Sequence, residues 1–76
     1  MASAAKIVEK MKNQPNGIKF EEAEKVLNHY GYVVTTKKGS HRTFRNEDGK
    51  HLSVPYKTPA IDKYYVGEIL KRIEGY

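Results

Sequence analysis

The chain contains no cysteine, which removes disulfides, thiolate metal sites and cysteine nucleophiles together. That suits a reducing compartment, and the cytoplasm is the expected location. No long apolar run is present, so the N-terminus reads as neither a secretion signal nor a membrane span. Internal repeats, low-complexity segments and a disordered acidic tail are also missing. Carboxylates do not gather into a ligand set: Glu47 and Asp48 share a turn, and no metal is expected there. At 76 residues the chain reads as a single domain, 1–76, with residues 1–17 as an N-terminal helical extension and turn. A domain of this size buries only about 60% of its extended surface, so no cofactor is expected.

What the chain has is positive charge, and it is unevenly placed. The net charge is +5. Between Lys37 and Lys57 stand Lys37, Lys38, Arg42, Arg45, Lys50 and Lys57 against Glu47 and Asp48, a net +4 in that segment. A basic patch of this kind points to nucleic acid or to an acidic protein partner, and it also serves plain solubility. The acidic stretch from Glu21 to Glu24 suits a helix start, where negative charge favours the dipole.

Within the basic segment, Lys37-Lys38-Gly39-Ser40-His41-Arg42-Thr43-Phe44 sets a histidine at a strand start, just past a glycine turn. Histidine can exchange a proton near neutral pH, so His41 can act as general acid or base on a phosphodiester. Lys37, Lys38 and Arg42 would hold the phosphate, and Ser40 can donate a hydrogen bond. The plainer reading is a surface histidine beside a solvated lysine turn.

Apolar spacing outlines the fold. Ile7, Val8 and Met11 form one stripe of a helix over Ala4 to Lys12, with Ser3 as N-cap. Asn13-Gln14-Pro15-Asn16-Gly17 breaks it. Phe20, Ala23, Leu27 and Tyr30, widened by Val26, predict a second helix from Phe20 to Tyr30. Lys19 would be its N-cap, with Ile18 stapled on Ala23, and Gly31 its left-handed end. His29 then reads as a surface histidine near that helix's C-terminus. Strands follow at Tyr32–Thr36, His41–Arg45 and His51–Val54, an antiparallel meander. Pro55 and Pro59 bracket an extended segment. Asp62 caps a last helix with Val66, Ile69, Leu70 and Ile73 inward and Gly75 at its end. Tyr64 and Tyr65 open that helix, as core or interface residues or as a stacking platform for a base.

Register follows from the turn. The odd-length loop from Asn46 to Lys50 pairs Arg45 with His51 and Phe44 with Leu52. Phe44, Leu52 and Val54 then share the buried face, and His41, Thr43, Arg45, His51 and Ser53 the other.

Three elements in order carry a resemblance: Gly39-Ser40-His41-Arg42-Thr43-Phe44, Leu52-Ser53-Val54-Pro55, and Tyr64-Tyr65-Val66-Gly67-Glu68-Ile69-Leu70. Together they resemble the HicA family of small bacterial mRNA-interferase toxins, over Gly31 to about Ile73. The resemblance implies an α+β fold like a double-stranded-RNA-binding domain, α-α-β-β-β-α, with helices on one face of a three-stranded sheet. It implies an endoribonuclease that cleaves mRNA and stops translation, with His41 catalytic, held inactive by a HicB antitoxin. Lys37, Lys38, Gly39, Ser40, Arg42 and Lys57 would contact RNA. Many members carry a second histidine shortly after the V-P pair, whereas here Pro55 precedes Tyr56-Lys57-Thr58-Pro59. Two other readings use the same residues: a non-catalytic RNA-binding module, and an adaptor docking an acidic protein.

Overall fold

A computed structural model describes residues 3–74, which form α1 (Ala4–Asn13), a 3-10 turn (Pro15–Gly17), α2 (Phe20–His29), β1 (Val33–Lys38), β2 (His41–Arg45), β3 (His51–Pro55) and α3 (Lys63–Glu74). The expected α+β class and the α-α-β-β-β-α order both hold. The predicted stop at Gly75 lies outside the described residues.

Each helix begins where its sequence supplies a partner for exposed N–H groups. The Ser3 hydroxyl accepts from the Lys6 N–H at 3.3 Å. Lysine offers no such acceptor at position 19, so the Glu22 carboxylate reaches back to the Lys19 N–H at 3.0 Å, the returning half of a capping box. Ile18 and Ala23 are both buried around this start, as the staple requires. For α3 the cap is Asp62, whose Oδ1 accepts from the Tyr64 N–H at 2.9 Å.

The end of α2 corrects one expectation. Helical spacing puts Tyr30 on the buried stripe, yet it is 44% exposed and stands outside the helix. Gly31 takes a φ of +89°. The Tyr32 N–H then donates to the Leu27 carbonyl at 2.8 Å and the Gly31 N–H to the Asn28 carbonyl at 3.1 Å. This Schellman closure turns the chain so that Tyr32, not Tyr30, enters the core.

The sheet has the order β1-β2-β3 and is antiparallel throughout. Arg45 pairs with His51 and Phe44 with Leu52, as the loop length requires. The β1–β2 ladder is less regular: Val34 pairs with Phe44 but Thr36 with Thr43, so Thr35 bulges. β1 also starts one residue later and runs two further than expected, to Lys38. Phe44, Leu52 and Val54 face the helices and join Ile7, Val8, Met11, Ile18, Val26, Leu27, Val66 and Ile69 in one core. Ion pairs cross the helical layer between Lys10 and Glu22 at 3.1 Å and between Lys12 and Glu74 at 2.9 Å. All helices therefore lie on one side of the sheet, and the His41 side is open.

Candidate active site

Lys38 and His41 close a hairpin whose loop is only Gly39-Ser40. Gly39 takes a φ of +61°, and among the described residues no non-glycine residue has positive φ, so Ser40 does not. Positive φ at the first loop position alone is the pattern of a II′ turn, which matches the twist of the flanking strands and favours glycine there. His41 is thereby fixed at the first position of β2, exposed, opposite Lys38 in β1 and Pro55 in β3. Directly opposed side chains have Cβ atoms about 4.5–5.5 Å apart. The Lys38 and His41 side chains therefore leave the open face side by side. Thr36, Thr43 and Ser53 continue that face beside them.

Arg45 shares this face at the far end of β2, opposite His51, whereas Lys37, Arg42 and Lys57 are placed differently. Lys37 pairs with Arg42, and both belong to the face that carries Phe44 and Val54. Arg42 is half-buried. Its Nη1 donates to the Gly39 carbonyl at 2.8 Å, and its guanidinium carbon lies 5.8 Å from the centre of the Tyr56 ring. Lys57 lies beyond β3, lining a cleft of about 380 Å³ with Asn16, Pro59, Ala60, Ile61, Asp62 and Lys63. Of Lys37, Lys38 and Arg42, only Lys38 shares the face of His41.

Strand alternation from Phe44 already assigns Arg42 to the covered face. The role of Tyr56 carried no such local signal. Its ring packs 5.0 Å from Phe20, a residue 36 positions earlier, and Phe20 lies 6.1 Å from Phe44.

The remaining histidines stand apart. His51 shares the open face but lies four residues along β3 from Pro55, the partner of His41, which separates the two by about 14 Å. His29 is exposed in the last turn of α2, edge-on to Tyr30. Among the described residues no group of three His, Cys, Asp or Glu is placed to hold a metal ion. Tyr64 is 63% exposed, with Tyr65 edge-on to it and half-buried against the core.

Two carboxyls are held below the usual carboxylate range, and both are helical. Burial opposes the charge on Glu22, but the Lys19 N–H and the Lys10 ammonium outweigh it. Hydrogen bonding from Arg72, against a smaller desolvation effect and with help from Lys71, lowers Glu68. Neither lies on the face that bears His41.

The family model describing the HicA toxin of bacterial toxin–antitoxin systems matches residues 20–74. The chain belongs to the HicA toxin family. The matched span holds α2, the whole sheet and α3, so the hairpin, His41 and Tyr56 fall inside it and α1 falls outside. HicA toxins are generally RNases that cleave mRNA, and membership brings an antitoxin partner and an RNA substrate class. Comparison with curated proteins and with solved structures finds no significant match. No helix among the described residues is long and apolar enough to cross a membrane.

Proposed function

We propose that the chain is a metal-independent mRNA endoribonuclease acting in the cytoplasm, with His41 as its general acid–base, neutralised by a HicB-like antitoxin. The observation that carries this reading is the exposed His41 opposite Lys38 on the uncovered face of the sheet. RNA holds its own nucleophile: the 2′-hydroxyl attacks the adjacent phosphorus in line and expels the 5′-oxygen. His41 takes the proton from the 2′-oxygen or delivers one to the leaving oxygen, while Lys38 offsets the charge growing on the non-bridging oxygens. The Lys38 ammonium disfavours a divalent metal at the same spot.

At about 14 Å, His51 is too far to complete an acid–base pair on one phosphate. Water supplies the second proton transfer, and His41 contributes about 10²–10⁴-fold. Ser40 donates to the bound phosphate, and Gly39 lets the backbone approach it. Lys37 and Lys57 lie where only flanking nucleotides reach them.

The lone imidazole at this spot also favours a second reading, an RNA-binding module without chemistry. One assay separates the two: purified chain and its His41→Ala variant incubated with a long mRNA. Cleavage by the parent and none by a folded variant is the expected result. Equal cleavage by both would overturn the assignment of His41, and binding without cleavage by the parent would favour the module.

A further inference from the structure

The carbonyls of the two residues before His41 are both held, one by a side chain from the covered side of the sheet and one by the neighbouring strand. The Gly39 carbonyl accepts from Arg42 Nη1 at 2.8 Å. The Ser40 carbonyl accepts from the Tyr56 N–H, which extends the β2–β3 ladder one step beyond His41 and Pro55. The two holders are themselves joined, since the Arg42 guanidinium lies over the Tyr56 ring at 5.8 Å. That ring packs on buried Phe20, which packs on Phe44. A continuous chain of contacts thus runs from the core to the hairpin tip.

From this geometry we infer that Arg42 is a positioning residue for His41, clamping the Gly39-Ser40 loop from the face opposite the substrate with Tyr56 as its platform. The inference rests on the proposed role of His41. Its physical basis is the shortness of the loop. A two-residue turn at a sheet end has no neighbours beyond it, so its direction depends on what holds its carbonyls. Guanidinium suits this work because it is planar, stacks on a ring and keeps a donor aimed sideways. A lysine keeps the charge and loses both the stack and the fixed donor. Displacement of a catalytic group by about 1 Å can cost 10²-fold in rate.

The test uses Arg42→Lys and Tyr56→Ala, with folding checked by circular dichroism. Single-turnover cleavage at saturating RNA should fall by about 10–10²-fold in each. The double variant should lose little more than either single one, because both act through one contact. RNA binding, measured with the charge-removing Arg42→Gln added to a His41→Ala chain, should keep its salt dependence. The ring resonances of His41 should shift in Arg42→Lys and Tyr56→Ala, with those of His29 and His51 unmoved. A parent rate with unmoved His41 resonances would overturn the inference. So would an unchanged saturating rate with a salt slope shallower by roughly 0.7, the mark of a lost phosphate contact. If the parent chain cuts no RNA, the nuclease reading falls, and the His41 resonances alone decide whether Arg42 sets the hairpin.

Discussion

Lys38 and His41 stand opposite each other as the last pair of the β1–β2 ladder, with only Gly39 and Ser40 between them in the chain. On the proposed reading, a cation so placed meets the same phosphate as the imidazole. Lys38→Gln should therefore slow cleavage and lower the salt slope of RNA binding by roughly 0.7, one single-stranded contact. Binding titrations across a range of salt, with wild type and variant side by side, check this. An unaltered slope would move the phosphate elsewhere.

Gly39 and Gly17 make a controlled pair. An added Cβ meets nothing within 4 Å at either position, but only Gly39 has a positive φ. Gly39→Ala should cost about 1–2 kcal/mol through backbone strain and should slow cleavage, because the loop carries His41. Gly17→Ala should be neutral or stabilising by up to about 1 kcal/mol. Urea unfolding of both variants gives the comparison, and equal losses would contradict it.

The Glu22 carboxylate joins the start of α2 to α1 through the Lys19 N–H and Lys10. Its folded-state pKa lies below the ordinary 4.5, so it stabilises the charged form in the folded chain. That contribution is fully present above about pH 4.5 and is lost as pH falls through the folded value. Glu22→Gln should be less stable than the parent by about 1 kcal/mol at pH 7. The gap should close on acidification, which denaturant melts at pH 7 and pH 3 would show. A gap that widens in acid would reverse the sign of the argument.

The open face also bears on inhibition. A HicB-like antitoxin that presents Asp and Glu to Lys38 and covers His41 should exclude RNA, and charge complementarity would speed its arrival. Antitoxin titrated into labelled RNA bound to the His41→Ala chain should release RNA in proportion to the amount added. RNA that stays bound while antitoxin also binds would mean that inhibition works at a distance.

Much of this was readable in the residues. Phe44, Leu52 and Val54 alternate strictly, and an odd loop between β2 and β3 leaves one register that buries all three. Caps at Ser3 and Asp62 are local chemistry and were equally visible. Tyr30 was misplaced because helical spacing continues through it, while the Schellman closure at Gly31 ends the helix first. Arg42 shows a different limit. Its charge suits a phosphate contact, whereas its distance of two from Phe44 puts it on the covered face. The contact of Tyr56 with Phe20 joins segments far apart in the chain, and no local pattern announces such a pairing.

The bulge at Thr35 has a consequence for how any protein can approach the sheet. β1 is an edge strand, and the break in its spacing between Val34 and Thr36 spoils the even row of backbone groups that an added strand would need. Lys37 and Lys38 crowd the rest of that edge with charge. On the opposite edge Pro55 has no N–H to offer, and the His51 carbonyl already accepts from Arg72 at 3.4 Å. Neither rim is a ready template for a fourth strand. Copies of this chain are thus discouraged from zipping into a shared sheet, and a binding protein is turned towards gripping side chains instead of splicing itself into the ladder.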